Sequence, residues 1–89
     1  MCAYNDEVAL AVLAGVRKCG LEVPGDLAVI GVDDIPPARL AEPPLTTVTT
    51  DQAAMAAYLS ATVVAAIGGK PGPAVPAETL IQLVRRESA

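Results

Sequence analysis

The chain has 89 residues, enough for one small domain, and its 53% apolar and 18% charged content excludes a disordered tail. Its net charge is −4 and its six cationic residues are dispersed, so it has no basic stripe that would follow nucleic acid phosphates or bind an anionic membrane. Histidine is absent, which removes the usual general base. The two cysteines, in a chain without a secretion signal, are expected to be reduced thiols, and two thiols alone do not form a zinc site.

The first segment is predicted to be a strand end followed by a helix. Residues 1–4 have strand character, Asn5 or Asp6 is suited to cap a helix, and Gly20 is suited to end it after about residue 19. Residues 8–14 are apolar without a break, whereas a surface helix should show a polar face. The pattern therefore predicts a helix covered on one side by its own sheet and on another by a partner subunit or a second lobe.

The next segment, LAVIGVDDIPP, predicts a buried strand with polar groups at its end. Residues 27–32 are apolar on both faces, which is typical of an interior parallel strand, and with the preceding strand and helix they form a βαβ unit. Ligands of open α/β sheets bind beyond the carboxyl ends of strands, where Asn5 and Asp33 would lie. Either residue could instead serve locally, Asn5 as a helix cap and Asp33 as a turn residue, and Asp34 is expected to hold the following turn.

The second half predicts a further strand, helix and strand. Four prolines exclude a central strand over residues 36–44, and residues 45–50 favour a strand. A helix over residues 51–67 would bury a stripe made of Met55, Leu59, Val63 and Ile67. A loop over residues 70–76 and a last strand over residues 79–85 would follow, with Arg85 and Arg86 as solvated strand-end residues or ion-pair partners.

Several segments, in order, resemble the last part of lactose-repressor-type (LacI/GalR) transcription regulators. They are NDEVALAVLAGVRKCGLEVPGDLAVIGVDD, PPLTTV and LVRRES. The resemblance implies an α/β fold of the periplasmic-binding-protein kind (type I), in which helices flank a parallel sheet. Residues 1–89 would be a C-terminal portion of the effector-binding and dimerisation domain, without the helix-turn-helix headpiece. The helix over residues 51–67 would belong to the other lobe of that domain.

The resemblance also implies roles for individual residues. Asn5 and Asp33 match positions whose side chains commonly hydrogen-bond the hydroxyl groups of an effector. The residue types present predict no catalytic residue, metal or cofactor. The dimer interface would be formed by Val8, Ala9, Val12, Ile35, Ala38 and Ala41.

The leading hypothesis is therefore the effector-sensing part of a cytoplasmic LacI-family repressor that binds a sugar-like or nucleoside-like molecule. It would form a homodimer or a higher assembly, contact DNA only through the headpiece, and bind no membrane. A periplasmic sugar-binding transport receptor is the alternative, and the acidic N-terminal residues, unlike a signal peptide, favour the regulator. A sugar-processing enzyme is the third hypothesis, against which no nucleophile paired with a base is apparent.

Overall fold

The computed structural model describes residues 1–75 and 80–89. Thr79, the first residue of the predicted last strand, and Pro76, the last of the predicted loop, lie outside that range. None of the helices in these residues is long and apolar enough to cross a membrane. The elements in chain order are α1 (Asp6–Lys18), β1 (Ile30–Val32), a 3-10 helix (Pro36–Leu40), β2 (Thr46–Thr50), α2 (Gln52–Ile67) and β3 (Ile81–Val84).

Helix α1 begins and ends where its sequence signals predict. Asn5 is the N-cap, and its Oδ1 accepts a hydrogen bond from the Val8 N–H. Acidic residues occupy the first turn and basic residues the last, which suits the helix dipole at both ends. Gly20 follows with a φ of +74°, a conformation that glycine adopts without strain. The predicted cap and stop of this helix are confirmed.

The sheet in the described residues has the strand order β1-β2-β3. β1 and β2 are parallel, with Ile30 opposite Thr46 and Val32 opposite Val48, and Cys2 forms a parallel bridge to Ile30. The predicted parallel pairing is thus confirmed for these segments, although β1 is shorter than the predicted strand over residues 27–32.

β3 runs in the opposite direction to β2, so the sheet in the described residues is mixed: the predicted parallel arrangement holds for β1 and β2, and β3 adds an antiparallel strand. The Asp51 N–H donates to the Leu80 carbonyl at the end of β2, whereas the Arg86 N–H donates to Thr46 Oγ1 at its beginning. The chain after α2 therefore returns beside the end of β2 and continues back along it.

The hydrophobic core lies between α1, β1 and the start of β2. Its residues are mostly small, and Leu45 is the largest of the side chains that have no exposed surface. Small side chains bring helix and strand close together, and each contributes little buried area. The clustered buried residues are Ala3, Ala9, Leu13, Val29, Ala38 and Leu45.

The C-terminal tail is part of this packed region. Ser88 is buried, and its hydroxyl accepts from the Thr46 N–H at 2.8 Å and donates to the Val29 carbonyl at 2.6 Å. The Val29 N–H in turn donates to the Ser88 carbonyl. The serine of the segment LVRRES therefore joins the residues that lead into β1 and β2.

The chain divides into two compact units. The first comprises Met1–Thr49 and Leu83–Ala89, and the second comprises Thr50–Gln82. Helix α2 lies in the second unit and has no buried residue. The predicted stripe of Met55, Leu59, Val63 and Ile67 is wrong, because Leu59 is 52% and Ile67 is 83% exposed. The helix is apolar nearly all round, so its sequence specifies no single inward face.

Candidate functional site

The parallel register places Asn5 and Asp33 at the same end of the first unit. Cys2 is level with Ile30, and both segments run in the same direction. Asn5 lies three residues beyond Cys2, and Asp33 lies three residues beyond Ile30. Both polar residues therefore follow the carboxyl ends of neighbouring parallel segments, which is where open α/β sheets bind ligands.

Asn5 has a local role that leaves part of its side chain for other contacts. Its Oδ1 accepts from the Val8 N–H at 2.9 Å, and its backbone is extended, as expected of an N-cap. The cap uses only the oxygen of the amide, so the NH2 group can donate to a ligand hydroxyl. The side chain is half-buried, which limits its conformations.

Asp33 and Asp34 have an uncommon backbone conformation. Their φ angles are 108° and 55°, and both are non-glycine residues with positive φ. Such residues are uncommon outside sites where surrounding contacts impose the conformation. The Asp33 N–H donates to the Val48 carbonyl at 2.7 Å, and the residue is exposed. Asp33 therefore presents a carboxylate to solvent from a backbone that is held in place.

Asp34 and Arg86 form an ion pair. Arg86 Nη2 lies 2.7 Å from Asp34 Oδ1, and Nη1 donates to the Leu45 carbonyl at 2.9 Å. The Arg86 side chain is 17% exposed and the Asp34 side chain 23%, so water screens the pair only in part. Of the two roles considered for Arg86, the ion pair is the observed one. Asp34 thus holds the C-terminal segment in addition to lying in the turn.

Asp6 is a site residue whose role sequence reasoning missed. The sequence indicated it only as a possible cap of α1, yet it has no exposed surface. Its Oδ1 accepts from Thr47 Oγ1 at 2.6 Å, and its Oδ2 accepts from the Ile35 N–H at 2.9 Å. The carboxylate thereby joins the start of α1 to β2 and to the loop after β1.

Gly31 is the sequence signal that could have revealed the buried carboxylate. A glycine inside a strand often marks a close approach by another group. A Cβ at Gly31 would overlap Asp6 Oδ1 and lie 3.1 Å from Leu45 Cδ2. No other residue type fits there unless Asp6 moves. The position of the Asp6 carboxylate in α1 therefore requires a glycine at position 31 in β1.

The residues predicted for a dimer interface fall into two groups. Val8 is 42% exposed, and Val12, Ile35 and Ala41 are half-buried, so these four have surface available to a partner. Ala9 and Ala38 have no exposed surface and pack in the chain's own core. These two residues therefore have no surface for direct contact with a partner, contrary to the prediction, and they lie beneath the predicted face.

A groove borders the same surface. Its apolar side comes from α1, and its rim includes Arg17, whose guanidinium donates to the Glu42 carbonyl. The predicted interface residue Ala41 lies on its other side. The residues that line it are Leu10, Leu13, Ala14, Arg17, Ala41 and Glu42.

Comparison with known proteins gives one consistent result. The family model of the periplasmic binding protein-like domain matches residues 1–89. The chain is 41% identical over 73 residues to the transcriptional regulator MalR of Streptomyces coelicolor, covering 82% of this chain and 21% of MalR. It is 32% identical over 88 residues to GalR of Escherichia coli, covering 99% of this chain and 26% of GalR.

Solved structures agree with these relatives. A LacI-family regulator from Lactobacillus casei with bound sucrose matches with a TM-score of 0.77 and 34% identity, covering 99% of this chain and 32% of that chain. The lac repressor dimer bound to operator and an anti-inducer matches with a TM-score of 0.84 and 27% identity. That match covers 99% of this chain and 30% of the repressor chain. The chain thus spans about a fifth to a third of the length of the proteins named here.

Proposed function

Because this chain belongs to the periplasmic binding protein-like domain family, in the form found in LacI/GalR-type regulators, we propose that it senses a small effector for a transcription regulator. The observation that carries the proposal is the position of Asn5 and Asp33 beyond the carboxyl ends of neighbouring parallel segments. An amide donor beside a carboxylate acceptor suits a molecule rich in hydroxyl groups.

The effector class in this proposal is a sugar or a nucleoside. Similar LacI-family regulators have been solved with bound sucrose and with bound lactose. In this chain Asp33 would accept hydrogen bonds from ligand hydroxyls, and the free NH2 group of Asn5 would donate to them. The strained backbone at Asp33 supports this role, because strain of this kind is concentrated at ligand sites.

The proposal assigns the two compact units to different lobes. The helix predicted over residues 51–67 would belong to the second lobe of the full domain. The division at Thr49 and Thr50 supports this assignment, since it separates α2 from the unit that carries Asn5 and Asp33.

The proposed partners are a second copy of the chain and, through another part of the regulator, DNA. The partly exposed apolar residues Val8, Val12, Ile35 and Ala41 would form the contact between copies. A net charge of −4 with dispersed cations makes this segment unsuited to bind phosphates itself. We place the regulator in the cytoplasm because its relatives act in transcription.

The competing hypotheses receive less support. The relatives named above are transcription regulators, which favours regulation over sugar transport and over catalysis. We propose a non-catalytic role for Asn5 and Asp33, since neither residue is paired with a nucleophile in the described site. Incubation with lactose or sucrose followed by chromatography would reveal turnover, and detection of cleaved product would contradict this role.

A titration followed by NMR tests the effector site. Lactose, sucrose and glucose are added to the 15N-labelled chain, and backbone amide shifts are followed. We expect weak, millimolar binding, with shifts concentrated at Asn5 and Asp33, because only part of a two-lobed site is present. Asp33→Asn should weaken the response, whereas the control Glu7→Gln, an exposed carboxylate of α1, should not. Shifts elsewhere would contradict the proposal, as would the absence of shifts both with these sugars and with adenosine, a representative nucleoside.

A further inference from the structure

The loop that carries Asp33 keeps its strained backbone through three separate tethers. The Asp33 N–H is bound to the Val48 carbonyl, and the Asp34 carboxylate is bound to Arg86. The Ile35 N–H donates to Asp6 Oδ2 at 2.9 Å. Strained conformations persist only where the surrounding structure imposes them, so these contacts determine where the Asp33 carboxylate lies.

Asp6 differs from the other tethers because it belongs to the helix that Asn5 caps. The Val48 carbonyl lies in β2, and Arg86 lies in the C-terminal segment. Asp6 directly follows Asn5 in the chain and is the first residue of α1. A shift of Asp6 would therefore move Asn5 relative to Asp33.

The surroundings of Asp6 hold its carboxylate in one place. The side chain has no exposed surface, and Thr47 Oγ1 donates to its other oxygen at 2.6 Å. The carboxylate occupies the space that a Cβ at Gly31 would fill. Hydrogen bonds to a carboxylate are stronger than those between neutral groups, and a buried site makes their loss more costly. The contact is thus shielded from water.

We propose that Asp6 is a positioning residue for the effector site. It does not touch the ligand, since it is fully buried, and it acts by holding the Ile35 amide and hence the Asp33 loop against the start of α1. This inference rests on the proposed function of Asn5 and Asp33 as effector contacts. It adds a residue that sets their relative position and explains why the carboxylate next to the cap is buried.

Hydrogen exchange and NMR couplings of the 89-residue chain test this role. In Asp6→Ala we expect the Ile35 amide to exchange about tenfold faster, because one charge-assisted hydrogen bond is lost. The three-bond HN–Hα coupling of Asp33, which reports φ, should change as the strained loop relaxes. The shifts that lactose, sucrose and glucose cause at Asp33 should weaken at least about fivefold, since even a modest misplacement reduces binding strongly.

Two variants separate positioning from stability. Asp6→Asn should restore part of the wild-type behaviour, because the amide oxygen can accept from Ile35 while the NH2 group donates to Thr47 Oγ1. Leu13→Ala, which removes a buried core side chain of α1, should lower the free energy of unfolding and leave the HN–Hα coupling of Asp33 unchanged. An altered Asp33 coupling in Leu13→Ala, or an unaltered one in Asp6→Ala, would overturn the proposal.

The same measurements distinguish failure of this inference from failure of the effector site. If neither a sugar nor adenosine binds the wild-type chain, the proposed function fails, and the Ile35 exchange rate still decides whether Asp6 holds the loop. If Asp6→Ala does not fold, Thr47→Val is the test, because it frees one oxygen of Asp6. Faster Ile35 exchange in Thr47→Val, with wild-type exchange in Thr47→Ser, is the expected result. Unchanged exchange in Thr47→Val would contradict the role of Asp6.

Discussion

The two helices of this chain show opposite relations between composition and burial. Helix α1 carries charges at both ends, yet it buries Asp6 together with Ala9, Leu13 and Val16. Helix α2 has no charged residue in its sixteen positions, yet none of its side chains is buried. A residue is buried because another part of the structure covers it, and apolar character alone does not supply the cover.

The two compact units that contain these helices also differ in how much of their surface is covered. The unit that contains α1 has a core and polar contacts between distant parts of the chain, such as Ser88 with Val29 and Asp34 with Arg86. In the unit that contains α2, the described residues comprise that helix, its flanking segments and the first two residues of β3. Substitutions of equal chemistry in the two units should therefore have unequal effects on stability.

The largest expected difference is between two leucines. Leu45→Ala should lower the free energy of unfolding by about 2–5 kcal/mol, because the side chain is fully buried in the core. Leu59→Ala is the matched variant in α2, where the side chain is 52% exposed, and it should change stability by less than about 0.5 kcal/mol. Urea unfolding followed by circular dichroism measures both. Equal losses would show that α2 is as well packed as the core.

The next largest effect concerns two serines. Ser88→Ala should cost about 1–3 kcal/mol, because it leaves the buried Thr46 N–H and Val29 carbonyl without their partner. Ser60→Ala, on the exposed surface of α2, should leave stability unchanged or raise it slightly, since alanine favours helices. The same unfolding measurement applies. A neutral Ser88→Ala would mean that the tail does not join β1 to β2.

A smaller effect of opposite sign is expected at the strained loop. Asp33→Gly should raise stability by about 0.5–1 kcal/mol, because relief of a φ of 108° outweighs the greater flexibility of glycine in the unfolded chain. The variant should also lose the sugar response proposed above. Thermal unfolding and the NMR titration measure the two outcomes. Lower stability in Asp33→Gly would show that the conformation carries no strain.

The smallest expected change in stability is on the apolar surface of α2. Ile67→Lys should leave the free energy of unfolding within about 0.5 kcal/mol of wild type, because Ile67 is 83% exposed and a cation suits the end of a helix. The uncovered surface favours self-association, so the variant should be less associated than wild type in sedimentation velocity experiments. A wild-type chain that is a clean monomer at micromolar concentration would contradict this prediction.

Local signals in the sequence predicted elements better than they predicted contacts. The cap at Asn5 and the stop at Gly20 depend on neighbouring residues, and both occur where expected. The stripe assigned to α2 required knowledge of what lies beside it, and it was wrong. The direction of β3 depends on how the chain returns after α2, which no local pattern encodes.

The candidate site shows the same division. The order of strands and polar residues was enough to predict that Asn5 and Asp33 follow the carboxyl ends of parallel segments. The burial of Asp6 was not predictable in this way, because its partners Thr47 and Ile35 lie 41 and 29 residues away in the chain. The glycine at position 31 hinted at a close approach without showing which group approaches.

Local signals in the sequence were therefore enough to predict both α-helices and the parallel pair of strands, since caps, turn residues and apolar runs act over a few positions, and the family was indicated by the resemblance of several segments in order. Which side chains are buried, how β3 runs and what holds the Asp33 loop became known from the fold alone. These features depend on contacts between residues far apart in the chain, whose free energy exists only once the fold has brought them together.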